Sequence, residues 1–364
     1  MSAAPPTDRV WSTADRIFFT LLVVAFPAAV ASHFFFPGTP TFVLCALALV
    51  PLARLMGTAT EVISHKLGSG LGGLMNASFG NAAELIIAVA ALREGQTEVV
   101  KASITGAILG NILLVLGAAI ITGGLTREKQ TFNTTAALSG AAMMFLAVTA
   151  MSVPDLFHLT RGDAGLPVMG KLSVGISLVL LVIYVLSLVF ALRTHKHLYA
   201  SEDEGTEEEL PPWSQKKAVT VLLGSTVGVV ITAELLVHAL EPAIASFGFT
   251  HTFVGVIIIA IIGNAAEHST AVIMALKNKM DLAFNIAFES SKQIALFVAP
   301  VLVLISYPLG HPLTLEFSHM EVMGMAVGVG GAALIAIDGE SNWLEGAMLL
   351  GLYAILAVAF FFIP

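Results

Sequence analysis

Gly80-Asn81-Ala82-Ala83-Glu84 recurs as Gly263-Asn264-Ala265-Ala266-Glu267, the same five residues 183 positions later. Each copy lies in a stretch apolar enough to cross a hydrocarbon core of about 30 Å as a helix. Asn and Glu three residues apart share one helical face, and the alanines between them let a neighbouring helix or an ion come close. A carboxylate at that depth costs several kcal/mol unless it is protonated, paired or ion-bound. Two of them form a site that wants two positive charges, met by one divalent cation or by two protons but not by both together. The alternative is that Glu84 and Glu267 are only interhelical hydrogen-bonding groups; finding both inside identical motifs argues against it.

The surroundings of the motifs set the fold class. Of 364 residues, 57% are hydrophobic and 12% charged, against about 25% charged in an ordinary soluble domain. Runs bounded by Pro, Gly and charge predict a leading helix near 17–36. Five spans follow near 40–60, 77–93, 101–123, 133–153 and 168–193, and five more near 217–240, 251–276, 281–306, 318–338 and 344–363. An odd number of spans per half makes the second half enter the membrane from the opposite face. The expectation is an all-α membrane protein of about eleven transmembrane helices, a leading helix plus two inverted five-helix repeats. Its segments are 1–36, 37–193, a linker at 194–215, and 216–364. The leading segment imitates a signal peptide in Ala29-Val30-Ala31, but its apolar run continues through Phe36, which favours a retained helix.

Orientation follows from the basic residues. With a cytoplasmic N-terminus, that side carries twelve of them: Arg9, Arg16, Arg54, Lys66, Arg127, Lys129, Arg193, Lys196, Lys216, Lys217, Lys277 and Lys279. The other side carries Arg93, Lys101, Arg161 and Lys171. Twelve against four puts the N-terminus and the linker in the cytoplasm. The linker gathers Glu202, Asp203, Glu204, Glu207, Glu208 and Glu209. It reads as a solvated spacer, with a regulatory role in sensing or concentrating Ca²⁺ as the alternative. Nucleic acid is excluded as a partner for such a surface. Cys45 stands alone, so neither a disulfide nor a Cys/His metal cluster is available.

The chain closely resembles the calcium/proton exchangers, the CAX family within the cation/calcium exchanger superfamily. The resemblance is carried by Ala59-Thr60-Glu61, GLGGLMNASFGNAAE at 70–84 and VVKASITGAILGNILLVLG at 99–117. In the second half it is carried by AELLVHALEP at 233–242, GNAAEH at 263–268, LKNKMDLAF at 276–284 and QIALFVAPVLV at 293–303. It implies an antiporter moving Ca²⁺ out of the cytosol against inward proton flow, with no cofactor. Glu84 and Glu267 would bind the cation or protons, with Asn81 and Asn264 beside them and Asn111, Ser290, Ser291 and Gln293 completing the site. Oxygen donors of this kind suit a hard cation.

Further polar residues fit the same expectation. Glu61 near one mouth, and Glu234, His238 and Glu241 in a stripe near the other, read as gating groups, or else as exposed helix-end residues without a transport role. His268 reads as a packed histidine or a proton relay. Glu289 and Lys292 depart from the family pattern. Their spacing allows an internal ion pair; alternatively Lys292 reaches towards Glu267 as a tethered competitor for the cation. Rival readings are a cation channel, an exchanger of another cation, or an intramembrane hydrolase with a glutamate acid and base. A bacterial-type cell membrane is expected, with a vacuolar membrane as the alternative, and a homo-oligomer is left open.

Overall fold

The computed structural model describes residues 13–195 and 211–362. The six acidic residues of the linker, Arg9 and Lys196 lie outside the described residues. Apart from one two-residue β-pairing, the ordered elements are helical. Among the described residues eight helical stretches are long and apolar enough to cross a membrane, or nine when the bent pair Leu240–Phe247 and His251–Ala265 counts as one crossing.

We name the helices α1 (Thr13–Phe35), α2 (Thr39–Phe79), α3 (Ala82–Arg93), α4 (Thr97–Gly124), α5 (Thr134–Arg161), α6 (Leu166–Val189), α7 (Gln215–His238), α8 (Leu240–Phe247), α9 (251–276), α10 (Met280–Ser306), α11 (His319–Ala336) and α12 (Trp343–Phe362). α1 packs on α2 through buried Ala25 and Ala29, and the Ser32 and Thr41 hydroxyls meet at 3.0 Å across the intervening turn. At the centre α4 crosses α9 almost backbone to backbone. A Cβ on Gly106 would lie 2.2 Å from the Val256 carbonyl oxygen, so only glycine fits there.

Three boundaries differ from those the sequence predicts. α2 does not stop near 60 but passes Glu61, which is therefore inside a helix rather than at its end. Helical assignment then continues to Phe79, yet a Cβ on Gly72 would sit 1.9 Å from the Ser64 carbonyl oxygen. Residues eight apart in a straight helix are about 12 Å apart, so the chain does not run straight from Ser64 to Gly72. α5 runs to Arg161 with Pro154 inside it rather than after it, and ends where Gly162 takes φ +55°. Finally, α7 ends at His238, so Glu241 lies on the short helix α8 and not on one stripe with Glu234 and His238.

The connections gather at two ends of the bundle. At one end β1 (Gln130–Thr131) pairs antiparallel with β2 (Glu340–Ser341), Lys129 bonds Glu340 at 2.7 Å, and Arg127 donates to the Leu276 carbonyl at 3.3 Å. Glu340 holds the exposed Lys129 ammonium above the usual lysine range. The backbone N–H of Asn133 also bonds Asp281 there. At the other end Arg93 pairs with Glu234 at 2.8 Å, Gln96 with Glu241 at 2.9 Å, and Thr39 donates to the Pro242 carbonyl at 3.4 Å. Each of these ties joins the first half of the sequence to the second.

Candidate cation site

The two motifs meet in the middle of the bundle in different local settings. In the first half the chain breaks between α2 and α3: Asn81 takes φ −101° and ψ 29°, and Ala82 begins the new helix. Glu84 therefore sits in the first turn of α3, bonded to its own backbone N–H, where the helix end favours a negative group. In the second half the motif lies inside unbroken helix, immediately after a π-helical turn at Val254–Ile259. Two further π turns, Gly110–Val115 in α4 and Ile294–Val298 in α10, flank the same region. Such turns tend to occur at functional sites, because the extra residue redirects side chains and loosens backbone hydrogen bonds. The apolar pattern carries no signal for them, so sequence reasoning missed them.

A network of buried amides and hydroxyls joins the halves. The Asn81 side-chain amide donates to Gln293 Oε1 at 2.6 Å, and the Ser290 hydroxyl donates to Asn81 Oδ1 at 3.2 Å. The Asn111 amide donates to Ser290 Oγ at 2.9 Å and faces Asn264 Oδ1 at 3.4 Å. Asn264 in turn donates to the Ala260 carbonyl at 3.0 Å, in the turn that follows the π segment. Five of the predicted polar residues are thus brought together. Ser291 is not among them, since its hydroxyl is spent on the Ala287 carbonyl of its own helix at 2.8 Å.

The carboxylates sit against this network. Glu84 packs on the motif glycine of the other half, where a Cβ on Gly263 would lie 3.3 Å from Glu84 Cγ. Glu267 is within hydrogen-bond reach of Ser290, and the two carboxylates are close enough for their charges to interact directly. One oxygen of each, Oε2, is enclosed and without a partner, as is Nε2 of neighbouring His268. Enclosed carboxylate oxygens without donors are costly in a protein interior and are what a hard cation or a proton satisfies. A cavity of about 20 Å³, room for a single water, touches Glu84, Ser103, Ala107, Gly263, Asn264 and Val298.

Glu234, His238 and Glu241 lie apart from this centre. Glu234 and His238 line a cavity of about 270 Å³ with Arg93 and Glu94 at the bundle end. Glu241 bonds His251 at 2.9 Å as well as Gln96. Lys292 is buried and donates to Glu289, so the internal ion pair is formed and the reach towards Glu267 is not.

The profile of the sodium/calcium exchanger protein family matches residues 37–193 and 217–362. The chain belongs to that family. Among its relatives, the Ca²⁺/H⁺ antiporter of Synechocystis sp. is 47% identical, with 97% of this chain and 99% of the relative aligned. The vacuolar calcium ion transporter of Schizosaccharomyces pombe is 40% identical over 95% of this chain and 85% of its own length. A crystal structure of the Ca²⁺/H⁺ antiporter protein YfkE superposes with a TM-score of 0.82 at 39% identity, covering 96% of this chain and all of that one. Within the sodium/calcium exchanger family, then, this chain is similar over 95% or more of its length to proteins named for calcium transport.

Proposed function

We propose that the protein is a secondary active antiporter, not an enzyme, that exchanges cytosolic Ca²⁺ for protons by alternating access at a site built on Glu84 and Glu267. The observation that carries this reading is the pair of enclosed, partnerless Oε2 atoms from the two copies of one motif, set against a ring of neutral oxygen donors. Asn81, Asn264, Asn111, Ser290 and Gln293 surround the ion. Ca²⁺ replaces protons on the carboxylates and protons replace Ca²⁺, so each species drives the other across. Similarity to relatives named as Ca²⁺/H⁺ antiporters supports the choice of ions.

The architecture in this proposal is eleven crossings arranged as a leading helix and two inverted five-helix repeats, 37–193 and 216–364. Support comes from counting the broken segment 71–93 as one crossing and 134–194 as two, which with the bent pair raises eight to eleven. The π turns of α4 and α10 end at Val115 and Val298, the same 183 residues apart as the motifs. The gathering of alternate connections at opposite ends is what successive crossings require. The end with Lys66, Arg127, Lys129, Lys277 and Lys279 is the cytoplasmic one by charge, and the membrane is the cell membrane. Glu61 on that side, and Glu234, His238 and Glu241 on the other, attract cations to the two mouths.

Everted vesicles loaded with a pH-sensitive dye test the proposal. Addition of Ca²⁺ to energised vesicles should release protons and restore fluorescence, and Glu84→Gln and Glu267→Gln should each abolish the response. Ca²⁺ flux indifferent to the pH gradient would make the protein a channel. A response to Na⁺, K⁺ or Mn²⁺ alone would reassign the ion.

A further inference from the structure

α10 carries a charged pair beside the site that the exchange reading leaves without a role. Lys292 follows Ser291 and precedes Gln293. Its side chain is only 6% exposed, while its partner Glu289 is 43% exposed. Glu289 and Gln293 are four residues apart and share a face, with Glu289 one turn, about 6 Å, nearer the Met280 end of α10. Gln293 accepts the amide of Asn81 at the break between α2 and α3. The Met280 end belongs to the loops that hold the Asn133–Asp281 bond and the β1–β2 pairing. Glu289 therefore stands between that end of the bundle and the polar network.

A half-exposed ionised carboxylate at the level of an apolar span is expensive against hydrocarbon and inexpensive against water. The neighbour on α6 within electrostatic reach is Tyr184, buried and stacked on Phe297. The difference in cost favours a water-filled approach beside Glu289, with Lys292 as the fixed countercharge behind it. Together they add no net charge to that approach; separately each adds one, of opposite sign.

We propose that the Glu289–Lys292 pair sets the electrostatic potential on the approach to the two-glutamate site from the 125–133 and 277–279 end, so that Glu289 raises and Lys292 lowers cation affinity there. This rests on the exchange reading, and adds two affinity-setting residues that do not hold the ion. A unit charge about 10 Å from a divalent cation in a water-like medium changes its binding about 4-fold, more where water is scarce.

The test is a cycle of four full-length proteins in everted vesicles: parent, Glu289→Gln, Lys292→Met and the double variant. Initial rates of pH-driven Ca²⁺ uptake are measured against Ca²⁺ concentration, with folded protein quantified by size exclusion. Lys292→Met should lower the apparent KM about 4-fold or more, Glu289→Gln should raise it as much, and the double variant should return to within about 2-fold of the parent. Unchanged KM values with rates that follow only the amount of folded protein would make the pair structural and overturn the proposal, as would single variants that shift KM in the same direction. Ca²⁺-induced thermal stabilisation of the purified proteins reads the same order without transport. If that order holds while parent vesicles show no pH-driven uptake, the exchange reading fails and the pair's role stands; a parent that neither binds nor carries Ca²⁺ overturns both.

Discussion

Gly263 of one motif lies against Glu84 of the other, so that a methyl group on Gly263 would stand 3.3 Å from Glu84 Cγ and 3.5 Å from its Oε1. The two copies of the motif are therefore in direct contact, with the glycine of one shaping the seat of the carboxylate of the other. Gly263→Ala should push Glu84 by a few tenths of an ångström without a backbone clash. We expect a folded protein whose apparent Ca²⁺ affinity is reduced. Gly80→Ala is different, because its methyl would meet the Asn76 carbonyl oxygen at 2.8 Å as well as Gln293 Oε1 at 3.3 Å. That change should lower the yield of folded protein and disturb Gln293 as well, so folded yield, and not KM, separates the two variants.

Asn111 ties three segments together, donating to Ser290 and facing Asn264 from within the π turn of α4. Removing its amide leaves buried acceptors without a donor, at a cost of about 1–3 kcal/mol. Asn111→Ala should lower the denaturation midpoint in detergent and reduce Ca²⁺ transport in the same vesicles. Ser291→Ala, whose hydroxyl serves only its own helix, should leave transport near the parent rate. Equal losses in both variants would argue against a special place for Asn111.

At the far end of the bundle, Arg93 and Glu234 form an ion pair with side chains 58% and 46% exposed. Exposed pairs contribute about 0–1 kcal/mol, so stability gives no reason for it. Its position beside the cavity with Glu94 and His238 does. Glu234→Gln should leave the denaturation midpoint within a degree or two while weakening apparent Ca²⁺ affinity on that face, measured in right-side-out vesicles. Affinity on the opposite face should not change, and a change on both faces would place Glu234 in the shared site rather than at a mouth.

Much of the fold could be read in advance because membranes enforce a simple rule: long apolar runs become helices. Most span boundaries accordingly fell within a few residues. The exceptions have local causes. Pro154 was read as a stop, but α5 absorbs it and breaks only at Gly162. The close approach of Gly72 to the Ser64 carbonyl needs a residue without a Cβ, which hydropathy does not register. For the site, motif spacing picked out Asn81 and Asn264 beside the two glutamates, whereas Asn111, Ser290 and Gln293 came from the resemblance to the calcium/proton exchangers. Spacing allowed the Glu289–Lys292 pair that the structure forms, but it could not show that Ser291 turns away or that three π turns surround the motifs, because these depend on side-chain direction and an extra residue per turn.

α11 begins with a reciprocal cap: Ser318 Oγ accepts from the Glu321 N–H at 3.3 Å, and Glu321 Oε2 accepts from the Ser318 N–H at 2.8 Å. Glu321 has a second duty, since its Oε1 accepts from the Thr105 hydroxyl of α4 at 3.2 Å although the residue is buried. The two substitutions should therefore differ in size. Ser318→Ala removes one capping bond and should cost about 1 kcal/mol. Glu321→Ala removes both the cap and the tie between the halves and leaves Thr105 and the Ser318 amide without acceptors, for about 2–4 kcal/mol. Neither residue touches the carboxylates' network, so apparent Ca²⁺ affinity at temperatures well below the midpoint should stay at the parent value in both. Chemical denaturation in detergent, paired with KM on the same preparations, checks the ordering; a shift of KM in Glu321→Ala would mean that the α4–α11 tie positions Asn111 as well as holding the bundle.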